Sequence, residues 1–171
     1  MSLAPGRPLQ RFRQDRLHVF DPQSPPLALL EGMLILGRVL ALWQGWRGDR
    51  VAPLRTDIDP IALGNLLPNI FLLDVLADDF RFRLVGEAVN GRYNHRLKGR
   101  TLRGLLTGNA LEETLTEHRL CSQSMKAVLV RNSLDHVTND DAKVYTRLLL
   151  PVAAGAGPTA AHILGAMEFR G

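Results

Sequence analysis

The densest set of side chains able to recognise a ligand lies in residues 92–103, where Arg92, Arg96, Lys98, Arg100 and Arg103 surround Tyr93 and His95. Guanidinium groups pair with carboxylate or phosphate through a planar fork of donors, and tyrosine adds a hydroxyl or a stacking face. Such a stretch reads either as an anion-recognition loop, a docking surface for an acidic partner, or a solvated basic loop. His118 offers an imidazole on the helix that follows. It also shares one helical face with Leu111, Leu115, Ser122 and Met125, and a lone histidine at that spacing fits a core side chain bonded to backbone. Cys121, nearby, is the only cysteine, so neither an intramolecular disulfide nor a cysteine-based zinc site can form within one chain.

Arg55, Asp57 and Asp59 form a second polar constellation. Paired carboxylates can carry acid–base chemistry or hold a metal. Here Asp59-Pro60 suits a helix start, with the carboxylate as N-cap and the proline at the first helical position. Arg55 is then expected to hold Asp57 and fix the loop. There is no glycine-rich phosphate loop, no serine nucleophile elbow and no His-Glu-x-x-His. No catalytic or metal-ligating residue is assigned, and the expected ligand-binding set is Arg92, Tyr93, His95 and His118.

These residues must be positioned by elements legible in the pattern. Residues 1–26, rich in Pro, Arg and Gln, predict a flexible N-terminal arm. Residues 27–47 predict a flanking helix: Leu29, Met33, Leu36, Leu40 and Trp43 recur at helical spacing, with Glu31 and Arg38 on a narrow polar stripe. A helix apolar almost all round must be covered on more than one side. Residues 48–171 form the main domain. Residues 69–76 and 80–86 read as a β-hairpin. Short helical pieces and a helix opening at Asn109, with a capping-box-like Glu112, follow. Residues 127–133, 143–153 and 160–169 read as three more strands. The order predicts an α+β domain with a five-stranded antiparallel sheet and helices inserted after its second strand.

The 171 residues are 46% hydrophobic and 22% charged, with a net charge of +4, an ordinary globular balance. Only Lys98, Lys126 and Lys143 are lysines among 21 basic residues, and scattered arginine reads as solvated surface before it reads as a nucleic-acid face. Residues 27–46 approach a spanning length, but Glu31 and Arg38 would each cost about 2.5–3.5 kcal/mol at a bilayer centre. No secretory signal is visible. A cytoplasmic location without membrane or nucleic-acid partners is expected.

The element order, taken with the wording, resembles the PAS-like family of stand-alone α-proteobacterial proteins. The matching pieces are Pro53-Leu54-Arg55, Asp57-Ile58-Asp59-Pro60, Leu67-Pro68, Phe82-Arg83-Leu84-Val85-Gly86, Leu97-Lys98-Gly99-Arg100 and Leu149-Leu150-Pro151. The resemblance implies helices on one face of the sheet and a ligand cavity between the sheet and residues 87–125. It places the first and last strands side by side at the sheet's centre. It also implies a sensory or regulatory module that binds a small (anionic) molecule or a signalling protein, with its output in trans. In haem-binding relatives a histidine of the corresponding helix ligates the iron, but His118 is a lone histidine with no other haem signature beside it, and the Asn-Cys-Arg-Phe-like setting of flavin-binding relatives is absent, so neither haem nor flavin is expected. Homodimerisation through helix 27–46 is expected, with Leu27, Leu34, Ile35, Ala41 and Leu42 at the seam. The rival readings are a small enzyme on a cone-shaped α+β fold, with His118 or the Asp57 region as base, and a nucleic-acid binder using the basic loop 92–103.

Overall fold

In a computed structural model the described residues are 17–93, 95–133, 145–155 and 157–169. Six antiparallel strands form one sheet in the order β1 (Leu17–Phe20), β4 (Ala127–Ser133), β5 (Tyr145–Ala153), β6 (Ala160–Phe169), β2 (Ile70–Val75), β3 (Phe80–Val85). The helices are α1 (Leu27–Leu30), α2 (Leu34–Arg47), α3 (Pro60–Leu63), α4 (Glu87–Tyr93), α5 (Leu102–Leu105) and α6 (Gly108–Ser124). The five expected strands are all present, residues 143 and 144 of the expected 143–153 lying outside the described residues, and β2 and β6 are neighbours as expected, with β6 in the interior of the sheet.

Three local readings are corrected. Leu17–Phe20, placed within the flexible arm, is a sixth strand. It pairs with β4, whose edge would otherwise present unpaired backbone groups, and Phe20 enters the core. The helix expected over 27–46 is interrupted at Glu31-Gly32-Met33, where Gly32 takes φ +75°, a conformation open to glycine without a Cβ clash. The long helix after the hairpin opens at Gly108 behind Thr107, so Asn109 lies inside it and does not cap it.

Strand parity sorts the core into two clusters. Phe71, Leu73, Phe80, Phe82, Val128, Val130, Leu149, Ile163 and Met167 face α4–α6. Ile70, Leu72, Leu129, Leu148, Leu150, Leu164 and Ala166 face α2 and α3, and meet Leu36, Val39, Leu40 and Trp43. Every residue of β5 is buried, as expected of a strand covered on both sides. The α2 helix is thus a full layer of the domain. Its N-terminus has no capping side chain of its own. Glu168 on β6 accepts the Ile35 N–H at 2.7 Å instead, meeting one of the orphan donors and placing a negative charge at the positive end of the helix dipole. Farther along, Trp43 Nε1 donates to the Pro151 carbonyl at 2.9 Å.

Gly86 shows how tightly the joints fit. A Cβ there would collide with the backbone of Leu67 and Pro68, and its N–H donates to Ile70 O at 2.7 Å. Gly86→Ala should therefore lose about 2–3 kcal/mol of stability, as overpacking against backbone does. Gly91→Ala, on an exposed helical position with open space around it, should gain about 0.5–1 kcal/mol. Urea unfolding of both variants checks the contrast.

Candidate functional site

Parity also sends polar residues inward. On β5, Tyr145 and Arg147 alternate with Thr146 and Leu148, and so point with Leu149 toward the α4–α6 layer. Arg147 is 2% exposed and Tyr145 fully buried. Glu117, on the buried face of α6 at 3% exposure, receives a hydrogen-bonded ion pair from Arg147 Nη2. Arg147 Nη1 donates to the Tyr145 hydroxyl at 3.2 Å, and the Tyr93 hydroxyl lies 3.5 Å from that of Tyr145. The guanidinium carbons of Arg92 and Arg147 stand 5.3 and 5.9 Å from the centre of the Tyr145 ring, within cation–π range. Phe169 flanks the same ring at 5.9 Å.

Two strand residues and three helix residues therefore make one buried polar cluster: a carboxylate, two guanidiniums and two phenols. A charge taken from water is tolerable only when paired and hydrogen-bonded. The Glu117–Arg147 contact supplies that pairing, and it also ties α6 to the sheet. An arrangement of this kind can recognise an anion, or exchange one carboxylate for another.

Of the expected ligand-binding residues, Arg92 and Tyr93 lie in this cluster. His118 is buried on α6 beside it in sequence, but its ring packs on Phe80 with centroids 5.3 Å apart. Its Nδ1–H donates to the Thr114 carbonyl at 2.7 Å, a contact within its own helix. His95 is exposed in the segment after α4 and donates its backbone N–H to Asn90 O. Tyr145, Arg147 and Glu117 were missed. The available signal was an arginine two residues from a tyrosine at inward positions of a strand apolar on both faces from Leu148 onward.

The remaining polar motifs are structural. Asp59 caps α3 by accepting the Ile61 N–H, with Pro60 in its first turn. Asp57 pairs with Arg50 at 2.7 Å, where Arg55 was expected. The hydrogen bond from the Leu54 N–H, together with Arg50, holds its carboxyl below the usual carboxylate range. In the basic loop, Arg103 bonds Asp78, which Arg119 of α6 also meets. Cys121 is fully buried, and burial alone pushes its thiol far above the ordinary range, so it is no ready nucleophile. Among the described residues no group of three or more His, Cys, Asp or Glu is placed to hold a metal, and no helix is long and apolar enough to cross a membrane.

A family model described as a PAS domain matches residues 35–168. A solved structure of an RNA-binding light-oxygen-voltage receptor aligns with 99% of this chain at 20% identity and a TM-score of 0.41, and this chain spans only 36% of that one. No curated protein matches.

The buried pair makes a separable prediction. Glu117→Ala should cost about 3–5 kcal/mol by stranding Arg147, whereas Glu117→Leu combined with Arg147→Met should recover most of it. Denaturant midpoints of the single and double variants are the measurement. Equal losses in both would show that packing, and not the charge pair, holds α6 to β5.

Proposed function

From the premise that this chain belongs to the PAS domain family, we propose that it is a regulatory module whose signal enters at the buried Arg92–Tyr93–Tyr145–Arg147–Glu117 cluster, as a small carboxylate or phosphate. One observation carries the reading: two nearly buried guanidiniums stand 5.3 and 5.9 Å from the centre of one tyrosine ring between α4 and the sheet. Guanidinium exchanges one oxyanion for another in the same planar geometry. An incoming anion would replace Glu117 on Arg147 and so release α6 from β5. A displacement of that kind couples occupancy to the position of a whole helix, which is what a sensory domain requires.

A panel of small carboxylates and phosphates tests this in a thermal-shift assay. A ligand present at 100 times its dissociation constant should stabilise the fold by about 2.7 kcal/mol. Arg92→Gln should weaken that binding about tenfold or more, since hydrogen bonds to charged groups contribute about 1.5–3 kcal/mol. A panel that leaves the melting temperature unchanged, or an effect that persists in Arg92→Gln, removes this reading.

The output surface in this proposal is the outward face of α1 and α2, and its partner a second copy of the chain. Leu34 is 71% exposed, and a groove of 410 Å³ runs along Leu30, Met33, Leu34, Gly37 and Ala41. Exposed Glu31 and Arg38 flank it with opposite charges, a self-complementary arrangement suited to a two-fold axis. Ile35 and Leu42, expected at the seam, pack against the outer core instead, so substituting them would test folding. Leu34→Asp with Ala41→Asp changes only exposed positions. Light scattering should show a dimer for the parent chain and a folded monomer for this variant; a monomeric parent at micromolar concentration overturns the self-association.

A further inference from the structure

A cleft of 710 Å³ opens at the opposite end of β5 from Tyr145, where the strand finishes at Ala153. Its walls come from three separate segments. Val51, Ala52 and Leu54 belong to the connector that leaves α2, Met125 ends α6, and Ala153 and Pro158 flank the β5–β6 turn. Ala52 and Ala153 are members of the outer core, and Leu54 and Met125 pack against it. The cleft therefore stands on the α2 side of the sheet, away from the buried polar cluster. Its volume falls within the roughly 300–1,000 Å³ of small-molecule sites. Val51 is 61% exposed on its wall, an apolar side chain that an occupant would cover. A Cβ placed on Gly157, also on the wall, would meet nothing within 4 Å.

We propose that this cleft is a second ligand site, separate from the buried cluster, for an uncharged and chiefly apolar molecule with one hydrogen-bonding end. The lining decides the class. Its interior is aliphatic, and the two full charges beside it, Asp49 and Arg50, have opposite signs. Arg50 is already held by Asp57 at 2.7 Å and by the Trp46 carbonyl at 2.9 Å. The mouth thus offers hydrogen-bonding groups, while the aliphatic interior offers nothing to compensate a buried ion. The connector wall is fastened to the sheet by Ala153 N–H donating to Pro53 O at 2.9 Å. An occupant would bear on the C-terminal ends of α2 and α6 together, giving the α2 face a second input independent of Arg147.

Three of the four methionines make the test site-resolved. Met125 lines this cleft, Met33 the α1–α2 groove, and Met167 lies in the inner core. The full chain with ¹³C-methyl methionine is titrated with 1-octanol, and separately with octanoate and octylammonium. The expected result is a saturable shift of Met125 alone with 1-octanol, and binding about tenfold weaker for either ion because each must shed hydration. Gly157→Leu, which adds an aliphatic side chain at the wall of the cleft, should weaken 1-octanol about tenfold with the melting temperature unchanged; should that variant misfold, Val51→Ser at an exposed position should weaken it in the same direction. No saturable Met125 shift, a shift at Met33 or Met167 in its place or spread over all three, an ion binding as tightly as the alcohol, or a folded variant that binds 1-octanol unchanged would each overturn the site.

Discussion

A sheet whose central strands are apolar on both faces cannot leave either face in water, and the other features of this domain follow from that. Leu148 and Leu150 on β5 need an outer cover, just as Leu149 needs an inner one. At about 25 cal/mol per Å² of apolar surface removed from water, exposing either layer would cost more than a small domain can spare. The α2 helix is therefore required for the domain to fold as seen, whatever it also does as a surface for partners. Glu168 and Pro151 fasten it at two points by accepting from Ile35 N–H and from the Trp43 indole.

The same constraint explains why the site is built as it is. The inner layer is filled with side chains, so polar groups there must satisfy one another. Glu117, Arg147, Tyr145, Tyr93 and Arg92 meet one another from one strand and two helices. Such a cluster stabilises less than apolar packing of equal volume would, because desolvation opposes the attraction. What it adds is a connection that an external anion can compete for. In the proposed function, ligand recognition and the hold on α6 use the same guanidinium.

The family's recognisable words turn out to be joints. Gly99 N–H donates to Phe82 O and Phe82 N–H to Arg100 O, so Leu97-Lys98-Gly99-Arg100 covers the free edge of β3. Gly86 makes room for the backbone of Leu67-Pro68. Leu54 bridges to Ala153, and Asp57 folds back on the Leu54 N–H. These are contacts at close backbone approach, where few residues fit, which is why short pieces of sequence could identify the architecture while indicating nothing about a ligand.

Five strands, the inserted helices, the Asp59-Pro60 helix start and the α+β class were determined by local pattern alone, because period, turn chemistry and capping act over a few residues. Arg92 and Tyr93 were also legible, as a basic stretch beside a tyrosine. The tertiary structure decided the rest. Only pairing with β4 makes Leu17–Phe20 a strand, and only a sheet glutamate caps α2. Arg50 takes Asp57 in place of Arg55 because the fold brings it to 2.7 Å. Glu117 and Arg147 are 30 positions apart, and each alone reads as a surface charge. Their partnership depends on helix phase and strand parity converging in space, and neither is written in the neighbourhood of either residue.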